Sequence, residues 1–165
     1  MPHPLIDQLR FTRSEFARGI AGVADDESTT RFPPMNALGW NVGHLAWQEQ
    51  RYYLTFAQGV TPFPDIAREF ASGGPASTPA LSRVRSAWKG ITEAADPWLD
   101  ELDEERMTMP VVEGSARITG NLILRTIYHY WFHLGENMAI RQNLGHTRLP
   151  QFVGDIDGRA PYRRS

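Results

Sequence analysis

Cysteine is absent from the sequence. Its absence excludes disulfides, thiolate metal ligands and a cysteine nucleophile in this chain. A chain without cysteine is compatible with a reducing compartment. Any reaction that uses a thiol must therefore take that thiol from a cofactor.

Long apolar runs and a basic excess are absent as well. No apolar stretch is long enough to span a bilayer, and the N-terminal residues show no positively charged segment followed by an apolar run. We therefore expect no signal peptide and a cytoplasmic protein without a membrane partner. The net charge is −2 with histidine neutral, and basic residues cluster only at Arg163 and Arg164. Proteins that bind a nucleic-acid backbone show a basic excess or patch, so we expect no nucleic-acid partner.

The length and composition of the chain indicate one globular domain. The 165 residues, of which 41% are hydrophobic, are enough for one core but too few for two. We therefore predict a single domain over residues 1–165. Its last part, over about residues 146–165, is rich in turn-forming residues and is expected to be an irregular tail.

Apolar residues recur at spacings of three and four along four segments, and this periodicity predicts four helices. The predicted helices span about residues 4–21, 36–58, 78–96 and 119–144. Thr78 and Pro79 are typical of a helix start, whereas Pro97 is expected to kink or end the third helix. Residues 60–77 are rich in proline and glycine and predict a crossover between helices, while residues 107–118 favour a small extended or hairpin segment. The fold class is therefore all-α.

Three of the five histidines lie on predicted inward faces of helices. His129 and His133 are four residues apart, so their rings emerge from one face, one turn apart. His44 shares a face with Trp40 and Trp47. Buried polar groups without partners are costly, and one metal ion would satisfy all three imidazoles. Three neutral nitrogens with open positions are typical of a catalytic metal site, because a structural site is usually closed by a fourth protein ligand.

Periodicity alone leaves other interpretations open. Two histidines four residues apart arise by chance, and the pair is equally compatible with a core histidine bonded to a backbone carbonyl beside a surface histidine. Trp40 and Trp47 are typical of plain core, and less often of a pocket beside a metal. Four aromatic residues surround the fourth helix so completely that some are expected at another surface, which favours a homodimer: Tyr128, Tyr130, Trp131 and Phe132.

Two motifs resemble those of the DinB-like superfamily. The stretch WNVGHLAWQE at residues 40–49 resembles the W-x-x-x-H-L-A pattern of that superfamily's second helix. The stretch HYWFHLGE at residues 129–136 resembles its fourth-helix motif, H-x-x-x-H-x-G-Q. The resemblance spans most of the chain and implies a four-helix bundle with a long crossover connection, often assembled as a homodimer. It also implies a metal held by His44, His129 and His133, and nickel, zinc and iron all suit imidazole ligands.

The resemblance also implies a class of reactions. Family members with known activity include transferases and isomerases that use low-molecular-weight thiols. We therefore expect a metal-dependent enzyme that acts with such a thiol on a small electrophilic substrate. Two alternatives stay open: a metal-dependent hydrolase whose metal activates water, and a non-catalytic, metal-binding stress protein.

Glu136 departs from the family pattern, because many relatives have glutamine at this place. It lies three residues after His133 and therefore shares the metal-facing side of the helix. A carboxylate there can orient a metal ligand, act as a catalytic general base, or coordinate the metal. The alternative is a charge pair with Arg51 or Arg141.

Overall fold

Helices account for the architecture, which confirms the all-α fold class. A computed structural model describes residues 3–151 and 153–163, and within these ranges it contains no strand. The four long helical segments are α1 (Pro4–Gly19), α3 (Leu38–Glu49) with a π-helical continuation (Gln50–Phe56), α5 (Leu81–Asp100) and α7 (Thr119–Asn143). The short helices are α2 (Asp25–Thr29), α4 (Pro64–Phe70), α6 (Glu104–Thr108) and α8 (Ile156–Arg159). None of the helices in the described ranges combines the length and apolarity needed to cross a membrane.

One continuous hydrophobic core joins the long helices. The α3 helix packs against both α5 and α7, and α1 packs against α7. Every residue of α3 is buried, whereas α5 and α7 each bury one face and carry exposed residues on the other, and α1 is buried or half-buried along its whole length. The central position of α3 explains why its polar side chains, including His44, must find partners inside the protein.

The long connection between the π-helical segment and α5, predicted as a crossover and called the crossover below, contains the helix α4. Two glycines of α3 allow it to lie close. A Cβ on Gly43 would meet the Phe70 ring at 2.7 Å, and one on Gly39 would meet the Pro79 carbonyl oxygen at 2.1 Å. Glycine lets another segment approach a helix where any side chain would clash. The crossover is therefore pressed directly against the buried helix.

Both ends of α5 differ from the prediction. The helix begins at Leu81 and not at Thr78, because α2 caps it: Ser28 Oγ accepts from the Leu81 backbone N–H at 2.9 Å. Pro97 does not end the helix, which continues to Asp100. The turn that follows Pro97 is kept by packing, since the Trp98 ring is buried and stacks at 5.7 Å on a core tyrosine.

The segment between α6 and α7 forms a small turn, close to the predicted hairpin. Its only β-type pairing in the described residues is an isolated antiparallel bridge between Pro110 and Ile118. The Val111 backbone N–H also donates to the Arg117 carbonyl at 2.9 Å, and Gly114 supplies the positive φ that the turn needs. This turn brings Arg117 to the start of α7.

Candidate metal centre

His44 is held by α3 in an environment that fixes its ring. The ring lies between the indoles of Trp40 and Trp47, with centroid distances of 4.7 and 5.1 Å and nearly parallel planes. Its Nδ1 lies 2.7 Å from the carbonyl oxygen of Phe70, the last residue of α4. A carbonyl oxygen can only accept, so Nδ1 carries the proton and donates it. The lone pair of Nε2 is therefore free.

His133 is oriented in the same manner by a carboxylate. Its Nδ1 lies 2.8 Å from Oε2 of Glu136, one turn later on α7. Because the carboxylate accepts the Nδ1 proton, the lone pair of His133 also resides on Nε2. A histidine whose distal nitrogen donates to a carboxylate or backbone carbonyl is the usual arrangement of a metal-ligating imidazole.

The structure brings these two rings together with His129. One ring nitrogen from each histidine falls within 4.8 Å of the others, and these three side chains can hold a metal ion. The Nε2 atoms of His129 and His133 are only 3.0 Å apart. His44 meets both rings edge-to-face, at centroid distances of 4.9 and 5.4 Å. The three-histidine cluster is therefore converging from two helices on one point.

Burial favours the neutral form of two histidines in the cluster. Burial, followed by the neighbouring His133 and His44 rings, lowers the pKa of His129 to about 3. Burial also lowers the pKa of His44 below its ordinary value. Neutral imidazoles are the form that binds a metal, and the donor set of three nitrogens suits a divalent transition metal.

One polar atom of the cluster has no partner. Nδ1 of His129 is buried and receives or donates no hydrogen bond among the described residues. The other two histidines direct Nδ1 to an acceptor, so His129 is the least constrained ring of the three. An incompletely paired buried cluster is expected where a ligand completes the polar contacts.

Glu136 is a partner of His133, not of an arginine. The predicted alternative of a charge pair with Arg51 or Arg141 is wrong: Arg141 donates to the Gly19 carbonyl at 2.6 Å and to His146 Nδ1 at 3.0 Å. The guanidinium of Arg51 instead lies over aromatic rings. The hydrogen bond from His133 lowers the pKa of Glu136, so this side chain is a carboxylate at neutral pH.

The remaining two histidines are not part of the cluster. His3 accepts from the Leu5 backbone N–H at 3.1 Å and thereby caps α1, while its Nε2 lies 2.8 Å from Glu104. The ring of His146 lies 3.0 Å from a carboxylate oxygen of Glu27. Both side chains tie neighbouring segments together, and both lie outside the group of three.

A cavity of about 680 Å³ lies beside the three-histidine cluster. His44 and His129 are on its wall, together with Trp47, so the indole that holds His44 also lines a pocket. The rest of the wall comes from α3, its π-helical continuation, the crossover, the turn before α7 and α7 itself: Gln48, Arg51, Tyr52, Ser72, Ala116, Arg117, Ile118, Asn121, Leu122 and Arg125.

Most residues of this wall were not predicted from the sequence. Asn121 and Arg125 precede His129 by eight and four residues, so helical spacing already places them on the histidine face. Arg51 follows Trp47 by four residues for the same reason. Arg117 gave no periodic signal, because it lies in the irregular turn.

A second buried polar cluster, also missed, takes one residue from each long helix: Arg13, Glu49, Trp88 and Tyr130. The Arg13 Nε–H donates to Glu49 Oε1 at 2.9 Å, and a second guanidinium nitrogen bonds Oε2. Tyr130 donates its hydroxyl proton to Glu49 Oε1 at 2.5 Å, and the Trp88 indole N–H donates to the Tyr130 oxygen at 2.5 Å. We call these four residues the four-helix network. Its polar atoms are all paired, which indicates a structural role.

Comparison with known proteins agrees with this geometry. No curated protein matches the chain at a significant level. A sequence model described as the DinB superfamily matches residues 8–137, which include His44, His129, His133 and Glu136. That range covers most of the chain and all four long helical segments in whole or in part. The protein therefore belongs to the DinB superfamily.

Proposed function

We propose that the protein is a metal-dependent enzyme in which His44, His129 and His133 bind one divalent transition metal, namely nickel, zinc or iron. One observation carries the proposal: one ring nitrogen from each of three imidazoles lies within 4.8 Å of the others, and two of the rings line a cavity of about 680 Å³. Within the described ranges no further histidine, aspartate or glutamate joins the group. Such a site leaves coordination positions for a ligand, as catalytic sites do.

The reaction we propose is thiol-dependent transfer or isomerisation of a small electrophile. When bound, a divalent cation makes a neighbouring thiol more acidic, so that the nucleophilic thiolate is present at neutral pH. The thiol is a separate low-molecular-weight molecule, because the chain contains no cysteine. Trp47, Tyr52 and Leu122 supply apolar wall area that binds an organic substrate and displaces water from it.

Glu136 is proposed as a positioning residue for this site. Its carboxylate bonds Nδ1 of His133, and Nδ1 is the nitrogen that faces away from the other two rings. In this role it fixes the tautomer and the plane of the imidazole and raises the basicity of Nε2. The direct roles, general base or metal ligand, are the alternatives to this positioning role.

Elemental analysis tests the metal proposal first. Protein purified without chelator should contain close to one equivalent of transition metal per chain, and the His129→Ala variant should contain none. His3→Ala is the matched control, because it removes a histidine outside the cluster and should leave the metal content unchanged. Equal metal content in wild type and His129→Ala would overturn the proposed site.

A thiol panel tests the reaction. Metal-loaded protein is incubated with bacillithiol, mycothiol or glutathione and a chromogenic aryl halide, and thioether formation is followed. We expect turnover with at least one thiol, and no turnover after chelation or in His133→Ala. Turnover of esters that needs the metal but no thiol would replace this proposal with a hydrolase, and inactivity under all these conditions would reject an enzymatic role.

A homodimer is proposed from the outer face of α7. Tyr128 and Phe132 lie four residues apart and are 66% and 70% exposed, which is unusual for aromatic side chains. We expect sedimentation equilibrium to give twice the chain mass for wild type and a shift towards the monomer for Tyr128→Ser with Phe132→Ser. A monomeric wild type would reject the proposal.

A further inference from the structure

The wall of the cavity beside the three-histidine cluster carries positive charge without negative charge. Its described lining includes Arg51, Arg117 and Arg125 and no aspartate or glutamate. The three arginines come from three different segments, namely the π-helical continuation of α3, the turn before α7, and α7 itself. The fold therefore brings Arg51 to the same space as Arg117 and Arg125, although Arg51 lies more than sixty residues earlier in the sequence.

None of these three guanidinium groups forms an ion pair within the described residues. Arginines elsewhere in the structure do: Arg10, Arg13 and Arg83 each bond a carboxylate within 2.8 Å. The cavity arginines are thus left with unused donors in a partly enclosed site. A guanidinium offers five N–H donors in a planar fork that matches carboxylate and phosphate oxygens.

Two of the arginines contact the same aromatic ring. The guanidinium carbons of Arg51 and Arg117 lie 5.1 and 4.7 Å from the centroid of the same Phe56 ring. Arg51 also lies 5.3 Å from the Trp47 ring. Cation–π contact favours each position, but it does not remove the repulsion between like charges. An anion in the cavity that both arginines line would lower this repulsion, and it would pair donors that no protein acceptor uses.

A fourth group on the wall also lacks a partner. Gln48 is only 7% exposed, and its Oε1 has no hydrogen bond among the described residues. It lies on the same helix as His44 and lines the same cavity. A buried amide oxygen without a donor is costly, so its presence on this wall points to a ligand that carries an O–H or N–H donor besides its anionic group.

We propose that this cavity binds a small organic anion, whose carboxylate or phosphate group is held by Arg51, Arg117 and Arg125. The inference rests on the proposed function, since it names the chemical class of molecule that is brought beside the three-histidine cluster. The anionic group belongs either to the electrophile or to the thiol. Both sources present the same oxygen chemistry to the arginines, and the two are separated by experiment.

Direct binding is the first test, and it does not depend on activity. Succinate and inorganic phosphate are titrated into the protein by isothermal calorimetry, with neutral succinamide as the matched ligand. We expect both anions to bind and succinamide not to bind. Arg51→Gln, Arg117→Gln and Arg125→Gln should each weaken anion binding about tenfold, the loss of one charge-assisted interaction. Arg85→Gln, which removes an exposed charge on α5 outside the cavity, should bind as wild type.

The outcomes separate this inference from the metal proposal. His133→Ala removes a proposed metal ligand and should retain succinate binding, because the arginines are unchanged. If His133→Ala and wild type both lack metal but still bind the anion, the anion site stands and the metal proposal fails. If no anion binds, or if the three cavity variants bind as well as Arg85→Gln, the anion site is rejected.

A second experiment assigns the source of the anion. Turnover is compared for neutral chlorodinitrobenzene and its anionic analogue chloronitrobenzoate, each with glutathione and with neutral 2-mercaptoethanol. If the electrophile carries the anion, Arg117→Gln lowers kcat/KM about tenfold for the benzoate alone. If the thiol carries it, the same loss appears with glutathione and is absent with 2-mercaptoethanol. A loss that is equal in all four pairs would contradict recognition of charge.

Discussion

The three-histidine cluster and the four-helix network are both buried and polar, and both join α3 to α7. In the network, Glu49 is completely buried but accepts from Arg13 and from Tyr130, so its charge is paired on both oxygens. In the cluster, Nε2 of His129 faces Nε2 of His133, and Nδ1 of His129 has no partner among the described residues. Both groups are therefore buried, but only the network has all of its polar atoms paired by hydrogen bonds within the protein.

This difference indicates which buried polar groups serve the fold and which are open to a ligand. His129 and Tyr130 are neighbours in the sequence, yet the His129 ring lines the cavity and Tyr130 belongs to the four-helix network. A polar side chain that is paired within the protein has little to offer a ligand, whereas an incompletely paired cluster beside a cavity gains from one.

The largest expected effect concerns the cluster. His129→Ala should abolish metal retention, because it removes one of three imidazoles. The same substitution should change the free energy of unfolding of the metal-free protein by less than about 1 kcal/mol, since His129 leaves one nitrogen unpaired. Urea unfolding in the presence of chelator measures the second quantity. A loss of several kcal/mol in metal-free protein would show that the cluster is structural, like the network.

The reverse pattern is expected for the network. Glu49→Ala leaves the buried Arg13 guanidinium without its main partner and should lower the free energy of unfolding by about 3–5 kcal/mol. At a temperature where it is folded, the variant should still bind metal. The double variant Arg13→Met with Glu49→Leu removes both charges and should be far closer to wild type in stability. If the double variant is as unstable as Glu49→Ala, unpaired charge is not the cause.

A smaller effect is expected at Glu136, where the cluster comes closest to the pairing found in the network. Glu136→Ala should weaken metal binding about 10–100-fold, because His133 loses the acceptor that orients it. Glu136→Gln keeps an oxygen acceptor and should recover most of that loss. Competition titration against a chelator of known affinity measures both variants. Equal affinities for alanine, glutamine and wild type would exclude a positioning role.

The smallest effect is expected for an ion pair at the surface, which extends the comparison to exposed groups. Arg83 bonds Glu69 and thereby links α5 to α4, and this hydrogen bond lowers the pKa of Glu69 below 4.5. A depressed folded pKa stabilises the protein above the unfolded value, and the contribution is lost as pH falls through the folded pKa. Arg83→Gln should therefore cost less than about 1 kcal/mol at pH 7 and nothing at a pH well below 4. Unfolding curves at both pH values measure this difference.

The sequence predicted those parts of the molecule that depend on local periodicity. The four long helical segments follow from apolar spacing, whereas the meeting of His44 with His129 and His133 was implied by the resemblance of two motifs to the DinB-like superfamily. The start of α5 at Leu81 depended on a cap from Ser28, more than fifty residues earlier, and no local pattern contains that information.

The remaining features of the site depend on tertiary contacts. Arg117 reaches the cavity because an irregular turn ends there, and the Arg13 side chain of α1 reaches Glu49 of α3 through the core. Arg125 lies four residues before His129, so helical spacing places both on one face of α7. That spacing does not tell whether the face lines a cavity or points to solvent. Charge partners and cavities are properties of the assembled fold.

The hydrogen bond between His44 and the Phe70 carbonyl ties the crossover to the cluster, and this couples two events that would otherwise be independent. Local opening of the crossover withdraws the acceptor that fixes the His44 ring, so the open state binds a metal less well. By thermodynamic reciprocity, a metal on the three rings must hold the crossover closed with the same free energy. The chain segment around Phe70 should therefore report occupancy through slower amide hydrogen exchange, at a place that need not contact the metal.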